Sequence, residues 1–266
     1  MLKDITLGQY FPVNSILHRM DPRFKIVCTI LFVLMLFAGS SFWTLVLGAA
    51  FVLLAQSMSH IPMKLFWRSI RPILPILAFT AILNLFFIDS GETLWQWKFL
   101  KITEGGIATS IFMMVRIVLL IIGSSLLTYT TSPILLTDAI EALLSPLKRF
   151  RFPVHEMAMM MSIALRFIPT LLEETDKIMS AQKARGATLD TGRMTERVKA
   201  LVPILIPLFV SAFRRAEELA TAMECRCYRG GEGRTRLRTL CAAPRDFIGL
   251  TVCILFTVTS FVMNLI

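Results

Sequence analysis

The chain of 266 residues is 55% hydrophobic and only 17% charged, with a mean hydropathy of +0.68; this excludes a soluble domain, in which about a quarter of the residues are charged. Its net charge of +10 is unevenly placed: 18 of the 28 Lys and Arg, against 12 of the 18 Asp and Glu, lie between Tyr129 and Arg245. A pore or a catalytic site needs no such basic block, whereas a membrane protein that grips acidic soluble partners does.

Residues 1–25 are mostly polar and read as an interfacial anchoring arm, closed by an Asp21-Pro22 turn before the first helix. No short apolar stretch with a small-residue cleavage site follows Met1, so the first span is expected to be retained. Between Lys25 and Lys64 there is no charged residue, and Gly39-Ser40-Ser41 divides this run into two segments close to the roughly 20 residues that cross a bilayer. Residues 72–88, 105–127 and 247–266 bring the expected spans to five. Arg19, Arg23 and Lys25 precede the first span, and Lys64, Arg68 and Arg71 separate the second from the third, which puts both stretches in the cytoplasm. The loop 89–104, with Trp95 and Trp97 suited to the water interface, is then outside, residues 129–245 inside and the C-terminus outside. Three divisions follow: 1–128 as arm and four spans, 129–245 as a cytoplasmic region, and 246–266 as the last span.

After the fourth span, Thr130-Thr131-Ser132-Pro133 places a hydroxyl cap and a first-turn proline at the start of a short helix running to about Leu144. Pro146 and Pro153 bracket a basic connector with Lys148, Arg149 and Arg151. Two long amphipathic helices are expected next. Met161, Leu165, Ile168, Leu172 and Met179 form the apolar stripe of the first, over 154–184, and Gly186, Asp190 and Gly192 end it. In the second, over 195–228, Leu201, Leu205, Leu208, Ala212, Ala216, Leu219 and Met223 share a face. Pro169, Pro203 and Pro207 are expected to kink the pair, and the uncharged stretch 200–213 is too short to span.

Ala184-Arg185-Gly186 and Cys225-Arg226-Cys227 each set an arginine between small residues at the expected C-terminal end of a long helix. A guanidinium so placed can bond a partner carboxylate bidentately; it can equally do no more than complement the helix dipole. Arg116 falls near the middle of its span, where a charge costs at least about 2.5 kcal/mol on insertion scales. It reads as a structural arginine bonded to Asn84, hydroxyls or carbonyls, or as an intramembrane switch; the neighbouring charges of a relay are missing. Met157, Met159, Met160, Met161, Met179, Met194 and Met223 concentrate in the long helices, either as core filling or as a surface that repacks for several partners. Cys225-x-Cys227 lacks a second cysteine pair, and His18, His60 and His155 are scattered, so no metal site is expected. On this topology the cysteines of the basic block face a reducing compartment, which disfavours structural disulfides. There is no G-x-x-x-x-G-K-[ST], so any ATP is hydrolysed by another chain.

Four ordered stretches carry a family resemblance. They are Gly8-Gln9-Tyr10-Phe11-Pro12 with Ser15-Ile16-Leu17-His18-Arg19-Met20-Asp21-Pro22-Arg23; Leu126-Leu127-Thr128-Tyr129-Thr130-Thr131-Ser132-Pro133; Ala164-Leu165-Arg166-Phe167-Ile168-Pro169 with Glu173-Glu174; and the two arginine triads. Together they resemble, over nearly the whole chain, the transmembrane T components of energy-coupling factor (ECF) transporters. The resemblance implies an all-α membrane protein, L-shaped, with about five transmembrane helices and long cytoplasmic amphipathic coupling helices. It implies a scaffold joining two ATP-binding-cassette ATPases, which hold the ATP and Mg, to a vitamin-binding membrane S subunit, with several exchangeable ones possible. No cofactor in this chain, no catalytic residue and no nucleic-acid partner are expected. Ala184, Arg185, Gly186, Cys225, Arg226 and Cys227 would dock the ATPases, and Met157, Met160, Met161, Leu205 and Met223 would contact the S subunit. Where the family usually has Ala or Gly beside its second arginine, this chain has Cys225 and Cys227, both still small. A T component dedicated to cobalt, nickel or biotin is the close alternative, although the arm resembles the shared, vitamin-type group. A secondary transporter or membrane-embedded enzyme would need catalytic acids, metal ligands or paired intramembrane charges, and only Arg116 lies deep in a span.

Overall fold

The computed structural model describes residues 9–88, 93–97, 100–150, 152–187, 194–230 and 240–265. Gly8, Arg151, Asp190 and Gly192 lie outside the described residues. The helices are α1 (Pro22–Ala38), α2 (Phe42–Ser59), α3 (Met63–Ile70), α4 (Leu74–Phe87), α5 (Glu104–Thr130), α6 (Pro133–Leu144), α7 (Val154–Ala184), α8 (Met194–Cys225) and α9 (Pro244–Leu265). Residues 89–104, expected as a loop, contain a short antiparallel hairpin, β1 (Thr93–Trp97) paired with β2 (Leu100–Thr103) so that Trp97 faces Leu100 and Trp95 faces Ile102. Threonine, tryptophan and isoleucine favour such pairing, a local preference overlooked in the expectation of a plain loop. The chain otherwise has the expected all-α character.

Contacts divide the chain into two compact units, Gly8–Ala139 with Leu240–Ile266, and Ile140–Thr239. In the first, four helical stretches are long and apolar enough to cross a membrane: Phe42–Ser59, Met63–Phe87, Glu104–Thr130 and Pro244–Asn264. The second of these joins α3 to α4 through a 3-10 turn at Arg71–Ile73, where Pro72 withholds an N–H from the helical ladder. α1 has only 17 residues, the lower limit for a span, and its partner decides its status. At the start of both helices, the Asp21 and Ala243 N–H groups donate to the Asp246 carboxylate at 3.1 and 2.7 Å, and Arg23 Nη2 donates to the Leu240 carbonyl at 2.6 Å. At the far end, Ser40 donates to Asn264 Oδ1 through its hydroxyl (2.7 Å) and its N–H (3.2 Å), while Asn264 Nδ2 donates to the Ala38 carbonyl at 3.3 Å. α1 and α9 therefore run parallel over the same depth, and α1 is the fifth span.

The α1–α2 hairpin closes on α5 through Phe32, Met35 and Leu36, Leu45 and Val52, and Leu119. A second cluster, Ile61, Phe66, Leu126 and Tyr129, seats α3 on the last turns of α5, and the Tyr129 hydroxyl lies 2.5 Å from Ser69 Oγ. The boundary between the units falls at 139/140, inside α6, rather than at 128/129. The end of α5 is held in the membrane unit because Phe11 N–H donates to the Tyr129 carbonyl at 3.0 Å, and Lys25 Nζ donates to the Thr130 carbonyl at 2.9 Å and to Thr131 Oγ1 at 3.3 Å.

The arm is organised by His18. Phe11 O, 2.9 Å from Nε2, can only accept, so Nε2 carries the proton. Nδ1 must then accept from the Ser15 hydroxyl at 2.7 Å, which in turn accepts from the His18 N–H at 3.3 Å. Burial, with Lys25 acting in the same direction, holds the imidazole below its ordinary value of 6.5. The folded arm thus binds fewer protons than the unfolded one: its full stability is present above about pH 6.5 and is lost as the pH falls through the lowered value. Amide exchange over residues 9–20 should accelerate between pH 7.5 and pH 5 relative to the intrinsic rate, and His18→Gln should abolish the pH dependence; an unchanged profile in the variant would assign the effect elsewhere.

Candidate functional site

In the Ile140–Thr239 unit, α7 and α8 lie side by side and antiparallel. Glu174 accepts from the Ser211 hydroxyl and from Arg215 Nη2 (2.9 Å), and further along Gln182 Nε2 donates to the Pro203 carbonyl at 3.3 Å. The second tie has a local cause. Pro207 has no N–H to take the Pro203 carbonyl four residues earlier, so this acceptor is left for the side chain of Gln182. The Ser211 hydroxyl, and then Arg215 and Lys177, hold the Glu174 carboxyl below the usual carboxylate range against its desolvation.

The two arginine triads occupy the same structural device. At the end of α7, Arg185 is the C-cap, Gly186 adopts φ +86°, Gly186 N–H donates to Lys183 O at 3.0 Å and Ala187 N–H to Gln182 O at 3.0 Å. At the end of α8, Arg226 takes the same place, Cys227 adopts φ +57°, Cys227 N–H donates to Glu224 O at 2.8 Å and Tyr228 N–H to Met223 O at 3.0 Å. Both are Schellman endings, which use the last carbonyls of a helix and turn the chain sharply away. The arginines are left protruding and exposed, with exposed Ala184 and Gly186, or Cys225 and Cys227, on either side. Among the described residues neither guanidinium enters an ion pair.

The chain matches the family described as Cobalt transport protein, CbiQ, over residues 13–237. It is 53% identical over 264 residues to a protein of Ruminiclostridium cellulolyticum, covering 99% of this chain and 98% of the relative. A protein of Acidaminococcus fermentans is 51% identical over 98% of this chain and 97% of its own length, and one of Bacillus subtilis is 48% identical over 92% and 93%. All three are named energy-coupling factor transporter transmembrane protein EcfT. The chain belongs to the EcfT family. It is accordingly a membrane component of an energy-coupling factor transporter.

The other site residues expected from sequence are dispersed within this EcfT-family chain. Met160 and Met161 are exposed on α7, Met157 is half-buried beside them, and Met223 is half-buried near the end of α8. Leu205 is exposed and belongs to a wider apolar face that the sequence expectation did not include: Val202, Ile206, Phe209 and Phe213, with Phe209 62% and Phe213 72% exposed. Their spacing of four, three and four is itself helical. Of the stripe expected from sequence, Leu208, Ala212, Leu219 and Met223 are half-buried, along the side where Ser211 and Arg215 meet α7, whereas Leu201, Leu205 and Ala216 are exposed. Arg116 donates through Nη2 to the Gly39 carbonyl at the end of α1 and stands 4.6 Å over the Phe112 ring. Its partner is thus one of the carbonyls a helix end leaves unbonded.

The two caps differ in backbone cost. An L-residue at positive φ is strained by roughly 1–2 kcal/mol, whereas glycine is free there but loses about 0.5–1 kcal/mol more entropy on folding. A Cβ on Gly186 would meet nothing within 4 Å, so only the backbone term acts. Gly186→Ala should destabilise its helix end by about 1 kcal/mol and Cys227→Gly should stabilise its own by up to about 1 kcal/mol. Amide exchange at Ala187 and Tyr228 reads these as changes of opposite sign.

Proposed function

We propose that this chain is the scaffold that couples ATP hydrolysis by two ATP-binding-cassette ATPase subunits to uptake of a vitamin or other micronutrient captured by a separate membrane-embedded S subunit. The observation that carries the proposal is the repeated arginine-bearing helix end. On the antiparallel register, Arg226 lies level with about residue 160 of α7, so Arg185 and Arg226 are on the order of 35 Å apart along the pair. That separation supports one arginine per ATPase. The Glu174–Arg215 ion pair lies 11 residues from Arg185 on one helix and 11 from Arg226 on the other, a central tie between two equal arms. A mere complement to the helix dipole would need neither exposure nor repetition of the flanking small residues.

The apolar face of α8, with Met160 and Met161, is the seat we assign to the S subunit, and the adaptability of methionine suits exchangeable partners. The chain itself is non-catalytic; ATP and Mg belong to the ATPases. A second reading, a component dedicated to cobalt, nickel or biotin, is favoured by the description of the matched family as Cobalt transport protein. The S subunit that co-purifies separates the two.

Removing one member of a desolvated charge pair costs roughly 2–5 kcal/mol, so Arg185→Ala or Arg226→Ala alone should weaken assembly and the double variant should release both ATPases. Lysine should rescue only in part, since it lacks the bidentate fork. Phe209→Glu should release the S subunit while the ATPases stay bound. Co-purification and vitamin uptake read all of these, and a double variant that assembles and transports normally would overturn the docking assignment.

We assign the N-terminus to the cytoplasm and the C-terminus to the opposite side, on the Lys and Arg asymmetry and the parallel course of α1 and α9. Exposed Cys225, Cys227 and Cys241 should react with an impermeant maleimide only after the membrane is opened. Reaction in intact cells would invert the orientation.

A further inference from the structure

An apolar cleft of about 330 Å³ lies in the membrane unit at the end where α1 and α9 begin, within the range of roughly 300–1,000 Å³ for small-molecule sites. Its wall combines Thr29 and Phe32 of α1, Leu54 of α2, Gly123 and Leu127 of α5 and Val252 of α9, and the arm adds Leu17 and Met20. Lys25 and Arg245 are the charged residues that line it, and no carboxylate among the described residues does. Lys25 is 7% exposed, and its ammonium is held by neutral acceptors, the Thr130 and His18 carbonyls and Thr131 Oγ1. Arg245 is half-exposed. The nearest acid, Asp246, has both oxygens engaged by backbone N–H groups, and Arg245 Nε reaches it only at 3.9 Å.

The depth of the cleft is informative. Phe32 stacks on Phe51 at 5.4 Å, and Phe51 meets Phe256 edge-on at 5.7 Å, which closes the space between α1, α2 and α9 below it. On α9 the lining runs from Arg245 to Val252, about 10 Å of helix, a third of the roughly 30 Å hydrocarbon core. Apart from the two cations and the hydroxyls of Thr29 and Thr130, the side chains lining the cleft are apolar, which suits a hydrocarbon chain.

We propose that the cleft is a binding site for an anionic phospholipid, the upper part of one acyl chain lying along α1 and α9 and the phosphate resting against Arg245 and the positive field of Lys25. Cations at headgroup level attract anionic lipid, and the apolar wall below them suits an acyl chain. The proposal is independent of how the ATPases dock.

The full chain, in its complex and in nanodiscs of mixed phosphatidylglycerol and phosphatidylcholine, is incubated with phosphatidylglycerol carrying a photoreactive group on one acyl chain. Crosslinks should concentrate on Thr29, Leu54 and Leu127, at least tenfold above exposed belt residues such as Phe79 and Ile111. Arg245→Gln should reduce the preference for phosphatidylglycerol over phosphatidylcholine about tenfold. Gly249→Leu, whose Cβ would meet only the flexible end of Met20 at 3.0 Å, should abolish cleft labelling with unchanged helix content and elution volume. As a second cleft-filling variant, Ala55→Phe covers a failure of Gly249→Leu to fold. Labelling spread evenly over the apolar belt would show annular lipid only, and equal labelling by both lipids would remove the anionic assignment; either overturns the proposal.

Discussion

The membrane unit depends on one carboxylate. Asp246 is 1% exposed and takes backbone N–H groups from two distant places, Asp21 ahead of α1 and Ala243 ahead of α9. Buried from water, each helix-start donor must find an acceptor inside the protein, and sharing one acceptor forces the two helix starts together. Asn264 and Ser40 repeat the constraint at the other end. The parallel course of α1 and α9 follows, and with it an odd number of spans between them, α2, the α3–α4 segment and α5. Both connections to residues 140–239 therefore leave the membrane unit at the face where α1 begins. A long insertion can be placed there without crossing the bilayer.

The insertion solves a different problem, the ending of two long helices at defined points with a charge exposed. A Schellman turn uses the last carbonyls internally and reverses the chain, and among the described residues no carboxylate pairs with either guanidinium. Gly186 does this without strain, and Cys227 does it at some cost in backbone energy. The four-residue spacing of Pro203 and Pro207 belongs to the same economy of hydrogen bonds. It frees a carbonyl in α8, and Gln182, three residues before Arg185, is the side chain that takes it.

Much of this was legible in the sequence because it is local. Apolar runs gave the spans, Thr131-Ser132-Pro133 and Pro153 gave the starts of α6 and α7, and Ala184-Arg185-Gly186 gave the end of α7. What could not be read depends on partners far along the chain. Asp246 is an unremarked acid until Asp21, 225 residues away, is placed on it, and Arg116 could name a class of acceptor but not Gly39. The choice between the two sides of α8 was not legible for another reason. With apolar residues on two sides of one helix, periodicity alone does not say which side meets α7; Ser211 and Arg215 do so only once Glu174 is opposite them.

One titratable contact in each unit answers acid. His18 has its folded value held below 6.5, so the arm's contact with the Tyr129 end of α5 is fully present above that value and is lost only at a pH lower still. Glu174 has its folded value held below 4.5, so the tie between α7 and α8 is fully present above that value and is lost only at a pH lower still. The difference follows from the chemistry of each contact. A neutral imidazole must give up its acceptor nitrogen to take a proton, so the Ser15 hydroxyl can no longer donate to it, whereas the carboxylate is already in the charged form that Ser211 and Arg215 bind. Acid therefore acts on the arm through the proton that Nδ1 gains and on the α7–α8 pair through the charge that Glu174 loses.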